Sequence, residues 1–194
     1  MLAAHPVDQF SSWLADAAAS GLPEPNAMVL STVSVAGRPR SRSVLLKEHS
    51  RAGFVFYTNL TSAKAQDLAA NAHASALFPW YALRRQVIVQ GAVTAMSQDD
   101  SEPYFHSRPH GSQLGAWASR QSSVLASRAE IEDAYARLEQ RWPEGTAVPM
   151  PDFWGGYRIM PDSVEFWQGR VNRLHDRLRY RRDGERWLVE RLSP

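Results

Sequence analysis

Hydrophobic positions recur along this chain at two spacings, and the change from one to the other marks out its elements. From Val7 to Ser20 the apolar residues Val7, Phe10, Trp13, Leu14 and Ala17 keep the three-to-four spacing of a helix with one buried face. "SGLPEPN" then breaks the pattern with one glycine and two prolines. From Ala27 the period shortens. "AMVLSTVSV", "RPRSRSVLLK" and "GFVFYT" are short, β-branched and set apart by "AGR" and "EHSRAG", which predicts antiparallel strands on tight connections. "SAKAQDLAANA" predicts a short helix, and "ASALFPW" and "RRQVIVQGAVTAM" return to strand.

The middle of the chain is helical. Ser97 followed by Asp100 reads as a capping box opening a helix toward His106, and "ASRAEIEDAYARLEQRW" keeps helical spacing through Ile131, Tyr135 and Leu138. Past Gly145 and the prolines at 149 and 151, "FWGGYRIM", "SVEFWQG" and "RLHDRLRY" predict three strands, the last turning at "RDGE" into "RWLVERL". Many short strands with few helices between them predict a mainly β, α+β domain: an antiparallel, Greek-key-like barrel with helices packed outside. The whole of 1–194 reads as one domain with a helical insertion at about 97–142, without repeats or a dividing linker.

Composition narrows the function. At 194 residues and 44% hydrophobic, with seven tryptophans, the chain can build a real core. Its net charge of +2 is too small for the broad basic stripe that nucleic acid requires, and the arginines come in small groups suited to small anions. The absence of cysteine removes disulfides, thiolate nucleophiles and zinc–thiolate sites. No apolar run approaches a membrane span and no leader pattern opens the chain, so the expectation is a cytoplasmic protein.

Familiar catalytic devices are missing: neither G-x-x-x-x-G-K-[ST] nor G-x-G-x-x-G is present, nor H-E-x-x-H, nor a nucleophile elbow. His106 and His110 stand four apart, but Pro109 interrupts the turn between them, and no metal is expected. What remains suits phosphates and flat heterocycles, with a cofactor bringing the reactivity. Arg42 and Lys47 differ by an odd number, so a shared site needs a bulge or a strand end; an exposed strand of alternating charge is the other reading. Lys64 falls in the first turn of a helix, beside the positive dipole end, either as a solvated lysine or as part of an anion site. Tyr104, Arg108, Ser112, Gln121 and Ser122 spread over two helical pieces, either as plain surface or as an anion grip. Arg173, His175, Arg177 and Arg179 alternate, so on a strand they would share one face.

Taken in order, "RSVLLK", "FYTN", "FPW", "RQVIVQG", "YFHSRP", "SQLGAWASRQSS", "FWGGYR", "EFWQG" and "RLHDR" resemble the pyridoxine (pyridoxamine) 5′-phosphate oxidase family over about Phe10 to Pro194. The resemblance implies an FMN-binding split barrel working as a homodimer, with FMN in clefts between the subunits. It implies oxidation of pyridoxine or pyridoxamine 5′-phosphate to pyridoxal 5′-phosphate by hydride transfer from C4′ to flavin N5, with oxygen reduced to hydrogen peroxide. By the same resemblance FMN would be met by Arg42, Ser43, Val44, Leu45, Leu46 and Lys47, by Tyr57, Thr58 and Lys64, and by Gln86, Gln121, Ser122, Trp167 and Arg177. Substrate would be met by Lys47, Tyr104, Arg108, Ser112, Arg173, Leu174 and His175, with Arg173 and His175 as the catalytic pair. Ala63 stands where the family commonly carries a basic residue. Two other functions share parts of this pattern: a related split-barrel flavin oxidase of phenazine-type biosynthesis, and a non-catalytic FMN or pyridoxal phosphate carrier.

Overall fold

The computed structural model describes residues 2–194; Met1 lies outside them. Helix α1 (Pro6–Ala19) starts with proline in its first turn and with the His5 ring accepting from the Val7 N–H. Nine strands follow: β1 (Ala27–Val33), β2 (Pro39–Leu45), β3 (Glu48–Ser50), β4 (Gly53–Asn59), β5 (His73–Trp80), β6 (Arg85–Ala95), β7 (Trp154–Gln168), β8 (Asp176–Asp183) and β9 (Arg186–Leu192). Four further helices join them: α2 (Ala63–Ala70) after β4, and α3 (Gln98–Ser107), α4 (His110–Ala118) and α5 (Arg128–Arg141) between β6 and β7. Among the described residues no helix is long and apolar enough to cross a membrane.

All strands join one antiparallel sheet in the order β2-β1-β5-β6-β7-β4-β3, with the β8–β9 hairpin added to β7. The sheet curls into a half-barrel because β7 serves three neighbours. Along one edge β6 follows its length; along the other, Trp154–Ile159 pair with β4 and Ser163–Gln168 pair with β8. The two stretches "FWGGYRIM" and "SVEFWQG", expected as separate strands, are therefore one strand of 15 residues. It runs through Pro161 because the register shifts there: Gly91 faces Pro161, Gln90 faces Ser163, and Asp162 is passed over. At that bulge the chains approach so closely that a Cβ on Gly91 would lie 2.0 Å from the Met160 carbonyl oxygen.

The concave face is filled by α1. Phe10, fully buried, meets the rings of Phe54 and Phe78 edge-on at centroid distances of 4.9 and 4.8 Å. Burying one such ring contributes roughly 2–3 kcal/mol. A smaller core of Phe105, Leu114, Val148 and Trp154 seats the three middle helices against the start of β7. Half of the capping box is present: Ser97 Oγ accepts from the Asp100 N–H at 3.0 Å, but the Asp100 carboxylate accepts from the Ser97 hydroxyl at 2.6 Å rather than from its N–H.

The alternating basic row is corrected. Strand β8 begins at Asp176, opposite Gln168, where β7 ends and offers no further partner. Arg173 instead closes a 3₁₀ turn, Val171–Arg173, with left-handed backbone at Asn172 (φ 56°) and Arg173 (φ 61°). Arg177 and Arg179 are strand residues; Arg173, Leu174 and His175 belong to the turn before them.

Candidate functional site

A cleft of about 840 Å³ opens between the outer edge of β2, the end of β4 and the helices α2, α3 and α4. That is large for a small-molecule site, whose usual range is roughly 300–1,000 Å³. Strand β2 is an edge strand, so half its backbone N–H and C=O groups pair with β1 and the others face outward. Arg42, Ser43, Val44 and Leu45 line the cleft from this edge. Lys47 lines it too, because the strand ends at Leu45 and the chain then turns, its N–H donating to Val55 O. The odd spacing from Arg42 to Lys47 is resolved by a strand end. Leu46 points the other way, into the main core.

Tyr57 and Thr58 enter from the end of β4, and Lys64 from the first turn of α2. Lys64 Nζ donates to Thr58 Oγ1 at 2.9 Å and to Gln121 Oε1, while Gln121 Oε1 also accepts from Thr58 at 3.0 Å. Burial, with a smaller push from the Arg42 charge, lowers the Lys64 pKa to about 8. Ser122, held in the left-handed region (φ 74°), turns its hydroxyl to accept from the Ala63 N–H that opens α2. A serine in that conformation is uncommon and marks a constrained segment.

The far wall is aromatic and cationic. Tyr57, Tyr104 and Trp154 form a stack, with centroids 4.2 Å apart for the tyrosines and 5.3 Å for Tyr57 and Trp154. Burial, and the nearby Glu48 carboxylate, push the Tyr57 hydroxyl up to about 12. Arg108 lies over the Trp154 ring at 4.9 Å, at the break between α3 and α4, with Ser112 one turn on. Its Nη1 is buried with no partner, and burial lowers its pKa. Lys47 sits over Tyr104 at 5.7 Å. Among the described residues, Lys47, Lys64 and Arg108 form no ion pair. The same break puts His106 and His110 on different helices.

Besides Leu46, six of the candidate residues do not line this cleft: Gln86, Trp167, Arg173, Leu174, His175 and Arg177. They form a second group. Gln86 faces Trp167 across β6–β7, and Trp167 faces Arg177 across β7–β8, so these three share a sheet face. The His175 ring lies 4.6 Å from the Trp167 ring, and its Nδ1 accepts from the Arg170 N–H at 3.1 Å. In the neutral ring that leaves the proton on Nε2, as a donor. Arg177 is held by Glu165 through two bonds of 2.7 and 3.0 Å. Leu174 is exposed.

Sequence reasoning passed over Trp154 and Asp67. Trp154 lines the cleft and carries the Arg108 stack, but the first residue of a strand gives no spacing signal. Asp67 is buried behind the cleft, and its one signal is its place three residues after Lys64, on the same helix face.

Comparison with known proteins gives a consistent set of likenesses. A family model described as pyridoxamine 5′-phosphate oxidase matches residues 14–142, and one described as the pyridoxine 5′-phosphate oxidase C-terminal dimerisation region matches residues 154–194. A pyridoxine/pyridoxamine 5′-phosphate oxidase of Streptomyces avermitilis is 60% identical over 199 residues, covering 100% of this chain and 88% of its own. One of Frankia alni is 57% identical over 192 residues, covering 97% and 80%. Among solved structures, PhzG from Burkholderia lata, in complex with tetrahydrophenazine-1-carboxylic acid, superposes with a TM-score of 0.93 at 31% identity, covering 99% of this chain and 94% of that one. A pyridoxamine 5′-phosphate oxidase-related, FMN binding protein of Nostoc punctiforme shares the fold, with a TM-score of 0.76 at 18% identity and coverage of 95% and 97%.

Proposed function

The chain belongs to the pyridoxamine 5′-phosphate oxidase family, and from that premise we propose that it uses FMN to oxidise pyridoxine or pyridoxamine 5′-phosphate to pyridoxal 5′-phosphate. The observation that carries this reading is a pair of cations on one cleft, Lys64 buried and Arg108 half-buried with its Nη1 atom out of solvent, with no carboxylate to neutralise either. A buried charge without a partner is costly, and a phosphate relieves it. Each phosphate brings close to two negative charges at neutral pH.

The residues fit FMN. Lys64, Arg42, Thr58, Gln121 and Ser122 would hold its phosphate, and the outward backbone of β2 would meet the polar edge of the ring. When bound, FMN would supply the redox chemistry, a two-electron oxidation at the substrate C4′ with molecular oxygen as the final acceptor. The protein supplies placement. Tyr104, Arg108 and Ser112 would grip the substrate phosphate, whose three oxygens suit a phenol, a guanidinium and a hydroxyl together. Arg173 would lay a planar cation over the pyridine ring, and His175 would donate from Nε2 to its phenolic oxygen. Holding both rings at reacting distance accounts for most of the catalysis asked of the chain.

The second group, from Gln86 to Arg177, lies outside the cleft, so a complete site needs two chains. We infer a homodimer in which each cleft is completed by the turn before β8 of the other chain, a reading supported by the dimerisation-region match at residues 154–194. The test is direct. The purified protein should show a flavin spectrum that bleaches when pyridoxine 5′-phosphate is added without oxygen, with pyridoxal 5′-phosphate formed. Flavin that binds and never bleaches would make the protein a carrier. Bleaching by a phenazine precursor alone would move it to the phenazine-type oxidases.

A further inference from the structure

Asp67 is the only buried carboxylate among the described residues, and it does not line the cleft. It lies on the inner face of α2, against β1 and β2. Its Oδ2 accepts from Thr32 Oγ1 at 2.7 Å, and its Oδ1 from Arg40 Nη1 at 3.3 Å. Arg42 Nη2 stands 3.7 Å from Oδ2, and Arg42 Nη1 donates to Thr32 Oγ1 at 2.7 Å and to Leu30 O at 3.1 Å.

The polarity of this network is fixed. An ionised carboxylate only accepts, so the Thr32 hydroxyl must give its proton to Asp67 and offer its lone pair to Arg42. Both Nη1 hydrogens of Arg42 are thereby taken up inside the protein, while the residue itself lines the cleft. Burial weakens the hold of Arg42 on its proton, and the Asp67 charge works against that loss.

We propose that Asp67 is a positioning residue for the cofactor phosphate: through the Thr32 hydroxyl it fixes the Arg42 guanidinium in the orientation that meets that phosphate. The proposal rests on the FMN reading above. It runs against simple electrostatics, since an acid near an anion site should weaken binding; the gain comes from holding one strong donor in place.

The test compares FMN with riboflavin, which lacks the phosphate, by flavin fluorescence quenching on the full chain stripped of flavin. Asp67→Asn should weaken FMN binding roughly tenfold while riboflavin affinity stays within about twofold. Thr32→Val, which removes only the relay hydroxyl, should show the same FMN-selective loss and stands as the test if Asp67→Asn fails to fold. Adding Asp67→Asn to Arg42→Met should change nothing further, and Asp67→Glu should recover part of the loss. Tighter or unchanged FMN binding in Asp67→Asn, or an equal loss for both flavins, would overturn the proposal. A wild-type chain that does not prefer FMN to riboflavin would instead sink the FMN reading itself.

Discussion

Arg108 shows at the scale of one residue what the proposed function asks of the cleft. Its guanidinium lies on Trp154 with Nη1 buried and nothing to donate to, a cost the ligand-free chain carries. Arg108→Met should therefore raise the KM for pyridoxine 5′-phosphate roughly 10- to 100-fold, leave FMN affinity unchanged, and not lower the Tm of the ligand-free protein. Lys64 makes the matching case on the cofactor side, with a pKa held at about 8 against an ordinary 10.5. Between those two values the unfolded chain binds more protons than the folded one, so the Lys64 contribution to stability rises with pH across that window. FMN affinity should move the opposite way, falling as pH passes above about 8 and the cation is lost. A fluorescence titration series over pH checks this, and Lys64→Met should flatten it. Arg173→Ala should lose most of kcat while FMN still binds; normal turnover by that variant would remove Arg173 from the mechanism.

At the scale of elements, β7 organises the molecule, and its close approach to β6 depends on Gly91. A Cβ there would collide with the Met160 backbone, so Gly91→Ala should cost about 2–3 kcal/mol in a denaturant titration. Most strands were legible in the sequence because alternation is a local property; the three-residue β3 was not, and lies inside "EHSRAG", which reads as a connection. The continuity of β7 was not, since Pro161 reads as a break until the bulge opposite Gly91 shows where its missing N–H is not needed. Alternation also misled at Arg173. The period of two runs on through "RLH", but a strand needs a partner, and β7 ends at Gln168. The cleft residues on β2, β4 and α2 were visible through charge and helix-start chemistry. Asp67 was not, because an acid three residues after a lysine on a short helix reads as a surface ion pair; only the packing of α2 against β1 turns it inward to Thr32 and Arg42.

At the scale of the whole molecule, the chain carries two incomplete groups. The cleft holds the cations Lys47, Lys64 and Arg108 and the aromatic wall, while the turn before β8 holds Arg173 and His175 beside Trp167. The long β7 and the hairpin it supports hold the residues of the second group beside one another, and the proposed dimer would set them against another copy of the chain. On the proposed dimer, Arg108 and Arg173 would belong to the same working site only when they come from different chains. Complementation tests this most directly: Arg108→Met and Arg173→Ala chains, each nearly inactive alone, are unfolded, mixed in equal amounts and refolded with FMN, and oxidation of pyridoxine 5′-phosphate is measured. Half of the dimers should be mixed, each with one intact site, so activity should return to about a quarter of the wild-type value. A mixture no more active than its two parents would contradict the account.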